Sequence, residues 1–341
     1  MYGSSIAIVI AAKNEEKYIE KCITSITEQN YPQELVKIIV CDGKSTDRTP
    51  DIVKAISGVS PNVELLINER EAAPFAFNLG IRHSNTNYLM ILGAHAELKP
   101  NYLTDAISFL EAHPEISCLG GILDNVYENE ASKAIGTAMS LPFGVGNAHF
   151  RTGAQEGFVD TVAFGIYKRE IFEAIGVFDE ELIRNQDDEF NYRLTKWGGK
   201  IYLLPALQSR YFVRASFKKL FRQYYQYGYW KVFVNKKHKI VTSVRQLFPP
   251  MFVLFLVSLP VMLLLGTWFL YFYLAILCLY LLIASWFAAK SANSFKNFSN
   301  IFLSFLCLHV GYGAGYLVGL YDVLLLGKSP VQNAKMKTLT R

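Results

Sequence analysis

The last third of the chain constrains everything before it. After Gln246 come three apolar runs, LFPPMFVLFLVSLPVMLLLG, TWFLYFYLAILCLYLLIASWFAA and NIFLSFLCLHVGYGAGYLVGLYDVLLLG. A helix crosses the hydrocarbon core of a bilayer with roughly 20 apolar residues, so each run is long enough to span it. Buried helices of a water-soluble core are the poorer account, because only Lys290 and Lys296 stand between the second and third runs. The runs also explain why the 341-residue chain is 51% apolar, since up to Gln246 it reads as mixed globular sequence.

The net charge of +5 is unevenly placed: no Asp or Glu occurs between Glu189 and Asp322, while Lys and Arg continue. In RASFKKLFRQYYQYGYWKVFVNKKHK cations alternate with Tyr, Phe and Trp, which suits a segment lying on anionic headgroups just before the first span. Such a composition also suits nucleic acid, but the location favours membrane lipids, and no nucleic-acid partner is expected. The positive-inside rule places this segment and the domain before it in the cytoplasm, as part of a multi-pass protein of the inner, cytoplasmic membrane. The expected division is a globular domain over residues 1–212, a basic aromatic interfacial segment over 213–246, about three membrane segments over 247–327 and a basic tail over 328–341. Three spans would put that tail, with Lys328, Lys335, Lys337 and Arg341, on the outer side against the same rule. The Gly-rich last run, which carries His309 and Asp322, is therefore also open to a re-entrant or interfacial course. The five cysteines lack paired spacing and read as small apolar filler, not as a disulfide or zinc framework.

Before the basic segment, short β-rich runs alternate with helical patterns. Strands are expected near residues 6–11, 36–41, 63–67 and 88–92, each followed by a helix, near 15–28, 47–57, 74–83 and 101–112. That rhythm is βαβ and gives an α/β fold with a mostly parallel sheet. Ligands of such sheets sit beyond the carboxyl ends of the strands, where Asn14, Glu15, Asp42 and His95 fall.

Each candidate has a bland account and a chemical one. In VCDGKSTDRTPDIV the hydroxyls of Ser45 and Thr46 and the carboxylate of Asp47 are what a helix N-terminus needs for its free N–H groups. Asp42 differs, since a carboxylate at a strand's carboxyl end suits hydrogen bonding to a nucleotide base or ribose, although no Gly-x-Gly-x-x-Gly fingerprint is present. The turn Gly93-Ala94-His95-Ala96-Glu97 has the setting of a metal site, yet a hard cation would want two carboxylates there. Asp187-Asp188-Glu189 opens a helical pattern. The helix dipole accounts for one acidic residue but not three, and mutual repulsion is a way to tune a general base.

These pieces, in this order, resemble family 2 glycosyltransferases: IAIVIAAKNEEKYIEKCITSITEQNYP, IIVCDGKSTDRT, APFAFNLGI before a strand, the turn after it, and IGVFDEELIRNQDDEFNYRL. The likeness runs from about Ser5 to Lys231 and is strongest to membrane-anchored, succinoglycan-type glucosyltransferases, whose turn reads Asp-Ala-His-Ala and whose acidic cluster reads Gln-Asp-Asp-Glu. The resemblance implies a GT-A nucleotide-sugar domain over residues 1–212 and an inverting transfer of a hexose from a UDP-sugar to a lipid-linked saccharide in extracellular or cell-surface polysaccharide synthesis. By position, Ala11, Asn14, Glu15, Asp42, Gly93 and Ala94 would bind the nucleotide sugar, and Asp187 would be the catalytic base. Asp160, Asp188, Glu189, Arg193 and Trp197 are expected as acceptor or sugar contacts, Trp197 being open to core packing as well. Gly93 and His95 stand where the family has Asp-x-Asp. His95 is expected as a metal ligand, helped by Glu97, and an imidazole favours Mn²⁺ over Mg²⁺. A protonated His95 neutralising the leaving group and an ordinary loop histidine remain the other accounts of this position. RQYYQYGYW lacks the Arg before Trp230 that a processive synthase would carry. Two other functions stay open: transfer to a polyprenyl phosphate, and a catalytically dead membrane scaffold within a polysaccharide assembly complex.

Overall fold

The computed structural model describes residues 3–153, 155–213, 216–242 and 244–329. Most of the basic tail, including Lys335, Lys337 and Arg341, lies outside the described residues. The chain divides into two compact units, Met1–Val126 with His149–Phe212, and Tyr127–Ala148 with Val213–Arg341. The segment Tyr127–Ala148 thus groups with the apolar helices, although its sequence reads as part of the globular domain.

In chain order the elements are β1 (Ile6–Ala12), α1 (Ile19–Thr27), β2 (Val36–Asp42), α2 (Thr49–Ser57), β3 (Val63–Ile67), α3 (Ala73–His83), β4 (Tyr88–Gly93), β5 (Ala96–Leu98), α4 (Tyr102–Ala112) and β6 (Ile116–Val126). The second unit then takes α5 (Glu130–Met139) and α6 (Pro142–Val145). The first resumes with α7 (His149–Thr152), β7 (Gly157–Val159), β8 (Ala163–Lys168), α8 (Arg169–Ile175), α9 (Gln186–Trp197) and β9 (Lys200–Phe212). The remainder is helical: α10 (Phe217–His238), α11 (Phe248–Val257), α12 (Leu259–Leu265), α13 (Thr267–Ser291) and α14 (Phe295–Leu320).

The strands form one nine-stranded sheet in the order β3-β2-β1-β4-β8-β6-β9-β5, with β7 also paired to β9. Strands β1 to β4 are parallel to their neighbours in this group, and β8 runs antiparallel between β4 and β6. Because β6 and β9 are parallel to each other, the carboxyl ends of β1, β2, β3, β4, β6 and β9 share one edge of the sheet. Alternation along β1 sends Ile6, Ile8 and Ile10 into a core with α1 and α4, and Ala7, Val9 and Ala11 into a second core with α3, α8 and α9. Burial on both faces is why IAIVIAA is apolar throughout. Gly80 lets α3 lie directly on β1, since a Cβ there would come within 2.3 Å of Val9 Cγ1.

In the second unit, α13 and the stretch Phe295–Leu325 are each long and apolar enough to cross a membrane. Residues Val244–Val257 and Leu259–Leu265 form a pair bent by 52°, so among the described residues two helices could cross a membrane, or three if the bent pair acts as one. Pro260 accounts for the bend, because it cannot donate the helical hydrogen bond and its ring crowds the preceding turn. The interrupted run is therefore the first. The Gly-rich last run is a continuous helix that ends in a π-helical turn, Tyr321–Leu325. Asp322 and His309 in this run both have partners: Tyr229 donates to Asp322 Oδ2 at 2.9 Å and Lys328 Nζ to Oδ1 at 2.9 Å. His309 lies 2.8 Å from both the Tyr280 hydroxyl and the Phe143 carbonyl. A carbonyl can only accept, so Nε2 carries the ring proton and Nδ1 accepts from Tyr280.

The segment expected to lie on headgroups is the 22-residue helix α10, and ten of its residues, Tyr229, Trp230 and Lys231 among them, are buried. Glycines make this packing close. Gly311, Gly315 and Gly319 of α14 repeat every fourth residue, and a Cβ on them would meet the carbonyls of Phe221, Tyr225 and Tyr229 of α10 at 3.0, 1.9 and 2.8 Å.

Candidate functional site

The parallel register sets Ala11 beside Gly93 and Ala12 beside Asp42, so the ends of β1, β2 and β4 are aligned. The loop after β1 is sewn to the loop after β2. Asn14 and Glu15 donate their amides to the hydroxyls of Ser45 and Thr49, both at 2.8 Å, Glu16 donates to Asp47 at 3.1 Å, and Asn14 Oδ1 accepts from the Thr46 amide at 2.8 Å. The Ser-Thr-Asp cluster that reads as a helix cap is mainly this stitching, for α2 has Arg48 at its N-cap and no side-chain cap bond. It also displaces the start of α1 from the expected residue 15 to Ile19, because Asn14 is held in the left-handed region with φ 55°.

Asp42 is 1% exposed, and its two oxygens accept from the amide (3.0 Å) and hydroxyl (2.5 Å) of Ser45. This geometry makes it the lock of the turn after β2, where the sequence alone suggests a base or ribose contact. Gly43 is needed there, since a Cβ would lie 2.9 Å from the Glu71 carbonyl.

At the end of β4 the chain turns through Ala94 and His95 into β5. His95 Nδ1 faces Glu15 Oε1 at 3.6 Å, both side chains being largely buried. Glu97, the expected helper of His95, instead meets Arg210 at 3.3 Å, because β5 pairs antiparallel with β9 and sets Glu97 opposite Arg210 and Ala96 opposite Tyr211. The Tyr211 ring lies 5.6 Å from the His95 ring, and the Arg151 guanidinium lies 5.5 Å from the Tyr211 ring. Beneath the turn, the Cys22 thiol donates to the Gly93 carbonyl at 3.8 Å. Burial, assisted by Glu15 and Glu97, pushes its pKa up to about 12, so it stays a neutral thiol. Among the described residues no three His, Cys, Asp or Glu side chains gather as a metal cage.

Helix α9 runs away from this edge, since it is followed directly by β9, which starts at the opposite edge and ends at Tyr211 and Phe212. Its N-terminus therefore belongs to the site edge. The three acidic residues there separate by burial: Asp187 is exposed, Asp188 half-buried and Glu189 fully buried. Arg193 Nε donates to both Glu189 oxygens, at 2.9 and 3.1 Å, and its other nitrogens donate to the carbonyls of Ile175 and Val177 at 2.5 and 2.7 Å. Glu189 and Arg193, expected as acceptor or sugar contacts, form a brace between α9 and the end of α8. Tyr167 of β8 donates to Asn191 at 2.9 Å and fixes α9 over the sheet, with Asp187 close enough to help hold the phenol protonated, after burial. Trp197 ends α9, some 15 Å from Asp187 at 1.5 Å per residue, and is 54% exposed, so it neither packs in the core nor lies at this edge. Asp160 is exposed in the link from β7 to β8.

Backbone strain gathers at the same edge. Of the seven non-glycine residues with positive φ among the described residues, Asn14, Lys44 and Glu71 lie on the loops after β1, β2 and β3, Phe164 (φ 50°) sits against Gly93, and Asn185 precedes the acidic cluster. Each costs on the order of 1–3 kcal/mol, and such strain concentrates at functional sites. Arg210, Tyr211 and Phe164 reach the site through pairings of distant strands, and Arg151 from α7, and none leaves a local signal in the sequence.

The family model for glycosyl transferase family 2 matches residues 7–176. A dolichyl N-acetyl-alpha-D-glucosaminyl phosphate 3-beta-D-2,3-diacetamido-2,3-dideoxy-beta-D-glucuronosyltransferase of Methanococcus voltae is 34% identical over 74% of this chain and 80% of its own length. The succinoglycan biosynthesis protein ExoA of Rhizobium meliloti is 28% identical over 72% and 75%. Among solved structures, the mannosyltransferase PcManGT of Pyrobaculum calidifontis, in complex with GDP-Man and Mn²⁺, matches 97% of this chain and 78% of its own at a TM-score of 0.54 and 17% identity. Residues 1–349 of S. aureus TarS with UDP-GlcNAc match at 0.51 and 19% identity, over 62% of this chain and 59% of that one. At these identities the solved structures speak for the fold alone, a GT-A-type α/β sheet domain. The relatives, the matched motifs and the fold agree: this chain belongs to glycosyl transferase family 2.

Proposed function

We propose that this protein moves a hexose from a nucleotide sugar, a UDP-sugar by preference, to a hydroxyl of a lipid-linked saccharide, with inversion at the anomeric carbon. The observation that carries the reading is the single sheet edge that holds Glu15 against His95 at 3.6 Å and also receives the exposed carboxylate of Asp187. The lipid-linked acceptor is supported by the Methanococcus relative, whose name describes a dolichyl-phosphate-linked sugar as acceptor. Helices long and apolar enough to cross a membrane in the same chain support it too, and fit a multi-pass protein of the cytoplasmic membrane with the sheet domain on the cytoplasmic side.

In the proposed mechanism Asp187 accepts the acceptor's hydroxyl proton as that oxygen attacks the anomeric carbon. The new carbon–oxygen bond forms on the face opposite the nucleoside diphosphate, whose bond to the same carbon breaks, so the configuration inverts. Ala11 and the strained loop at Asn14 lie at the edge where the nucleotide would rest, with Asp42 holding the turn beside it and Ala94 buried in the core. Glu15 and His95 present one oxygen and one nitrogen donor, which fits a borderline divalent ion such as Mn²⁺ better than Mg²⁺. When bound, such an ion would supply positive charge to the departing diphosphate. The experiment for the whole reading is a screen of nucleotide sugars against membranes with a lipid-linked acceptor pool, followed by mass analysis. One hexose added to a lipid-linked saccharide is expected, and no turnover with any donor, alongside retained binding to other proteins, would favour the scaffold.

A prediction concerns the turn itself. A Cβ on Gly93 would meet Phe164 Cε1 at 3.5 Å and His95 Cε1 at 3.6 Å, which is ordinary contact. Gly93→Asp should therefore fold normally and, by adding a carboxylate beside His95, tighten Mn²⁺ binding at least tenfold, measured by calorimetry without donor. Unchanged affinity would remove this turn from the metal site.

A further inference from the structure

We propose that Arg151, which lies over the Tyr211 ring at the His95 turn, is a diphosphate-binding residue of this enzyme, a clamp that sets a fixed positive charge against the leaving group. The inference rests on the nucleotide-sugar reading above and names the side chains that meet its most charged part. Three rings and planes stand in sequence at the edge: the His95 imidazole, the Tyr211 phenol 5.6 Å from it, and the Arg151 guanidinium 5.5 Å from Tyr211 and 5.3 Å from Phe150. The order is built by the fold. The backbone of Tyr211 is fixed opposite Ala96, the residue after His95, by the β5–β9 pairing and opposite Asn125 by the β6–β9 pairing, which roots its ring beside the turn.

The charge at the turn favours an arginine. A divalent ion is recruited by a pair of aspartates because it reverses their sign toward a polyanion, but here glycine and histidine occupy those positions. The carboxylates nearest the turn face nitrogen groups already, Glu15 with His95 and Glu97 with Arg210. A diphosphate arriving there meets much less negative charge than an Asp-x-Asp turn would present, and protein cations can take over part of the ion's task. Arginine suits this better than lysine. Its planar fork donates two parallel hydrogen bonds to phosphate oxygens, and cation–π contact with the Phe150 and Tyr211 rings holds the group near the turn before the ligand arrives. Its position two residues into α7, where the chain returns from the helical unit to the sheet, hides this role from any reading of local sequence.

The test measures binding on the full-length protein in detergent, using inorganic pyrophosphate, UDP and uridine as probes, each with and without Mn²⁺. Arg151→Gln keeps a flat polar end for Tyr211 but removes the charge, Arg151→Lys keeps the charge but not the fork, and Arg151→Ala removes both. The expected result is a loss of pyrophosphate and UDP affinity on the order of 10- to 100-fold in the Gln and Ala variants, with uridine affinity unchanged and the Lys variant intermediate. The loss should be largest without Mn²⁺. Unchanged pyrophosphate affinity in Arg151→Gln would overturn the clamp, as would an equal loss for uridine, which would mark a purely structural role. A wild-type protein that binds pyrophosphate through Arg151 but not UDP would uphold the clamp and overturn the nucleotide-sugar reading. One that binds neither would end both.

Discussion

Asp187→Asn is expected to bind donor like the wild type and to transfer sugar about 10²- to 10⁴-fold more slowly, the usual contribution of a positioned proton acceptor. Asparagine has the same shape, and the helix loses only the dipole interaction of an exposed first-turn carboxylate, roughly 0.3–1 kcal/mol, so the fold should hold. The neighbours supply the controls, because three adjacent acidic residues stand in three environments. Asp188→Asn should change activity modestly. Glu189→Gln should act on stability instead, since Glu189 is fully buried and neutralises Arg193; removing one partner of such a pair costs about 3 kcal/mol or more. Single-turnover rates together with thermal unfolding in detergent would separate the three. Full activity of Asp187→Asn would exclude proton transfer at this residue and favour an acceptor that is already ionised, such as a polyprenyl phosphate. A dead wild type with intact binding to other proteins would favour the scaffold.

The sequence was most legible where order is local. Strands β1 to β4 and helices α2 to α4 lie within about two residues of where the hydrophobic periods put them, because each pattern is read from its own segment. The strand ends then locate Asn14, Glu15, Asp42 and His95 at one edge by topology alone. The second half of the sheet was not legible. Strands β5 to β9 mix parallel and antiparallel pairing across more than a hundred residues, and the partner that fixes Glu97, Arg210, cannot be inferred from spacing. The protein partners of the candidate side chains were the least legible feature. Asp42, Glu189 and Arg193 have the residue types of ligand contacts, yet the structure engages each with nearby protein atoms, in a turn or a brace, as buried polar groups must be. Trp197, for which core packing was one expectation, is exposed at the last position of α9.

The largest stability effect is expected in the glycine-rich last apolar run. Glycine costs roughly 1 kcal/mol relative to alanine in a helix in water, so the helix over HVGYGAGYLVGL draws its stability from elsewhere. In a bilayer the backbone has no alternative partner for its hydrogen bonds, and helices associate through close packing of small residues. Gly311, Gly315 and Gly319 share one face of α14, matched by Phe221, Tyr225 and Tyr229 at the same spacing on α10, and Gly228 returns the contact against the Tyr312 carbonyl. The atoms that a side chain would strike are backbone oxygens held in helices, 1.9 Å from a Cβ at Gly315 and 2.0 Å at Gly228, so neither can swing aside. Gly315→Leu should force the two helices apart and cost more than roughly 3 kcal/mol, beyond the usual range for overpacking. The expected readout is loss of a monodisperse peak in detergent and of a cooperative thermal transition. Val318→Leu, on the same helix but 39% exposed, should leave both unchanged. A Gly315→Leu protein as stable as the wild type would mean that α10 and α14 are not packed backbone to backbone, and that α10 is free to lie on headgroups as its basic, aromatic sequence first suggests.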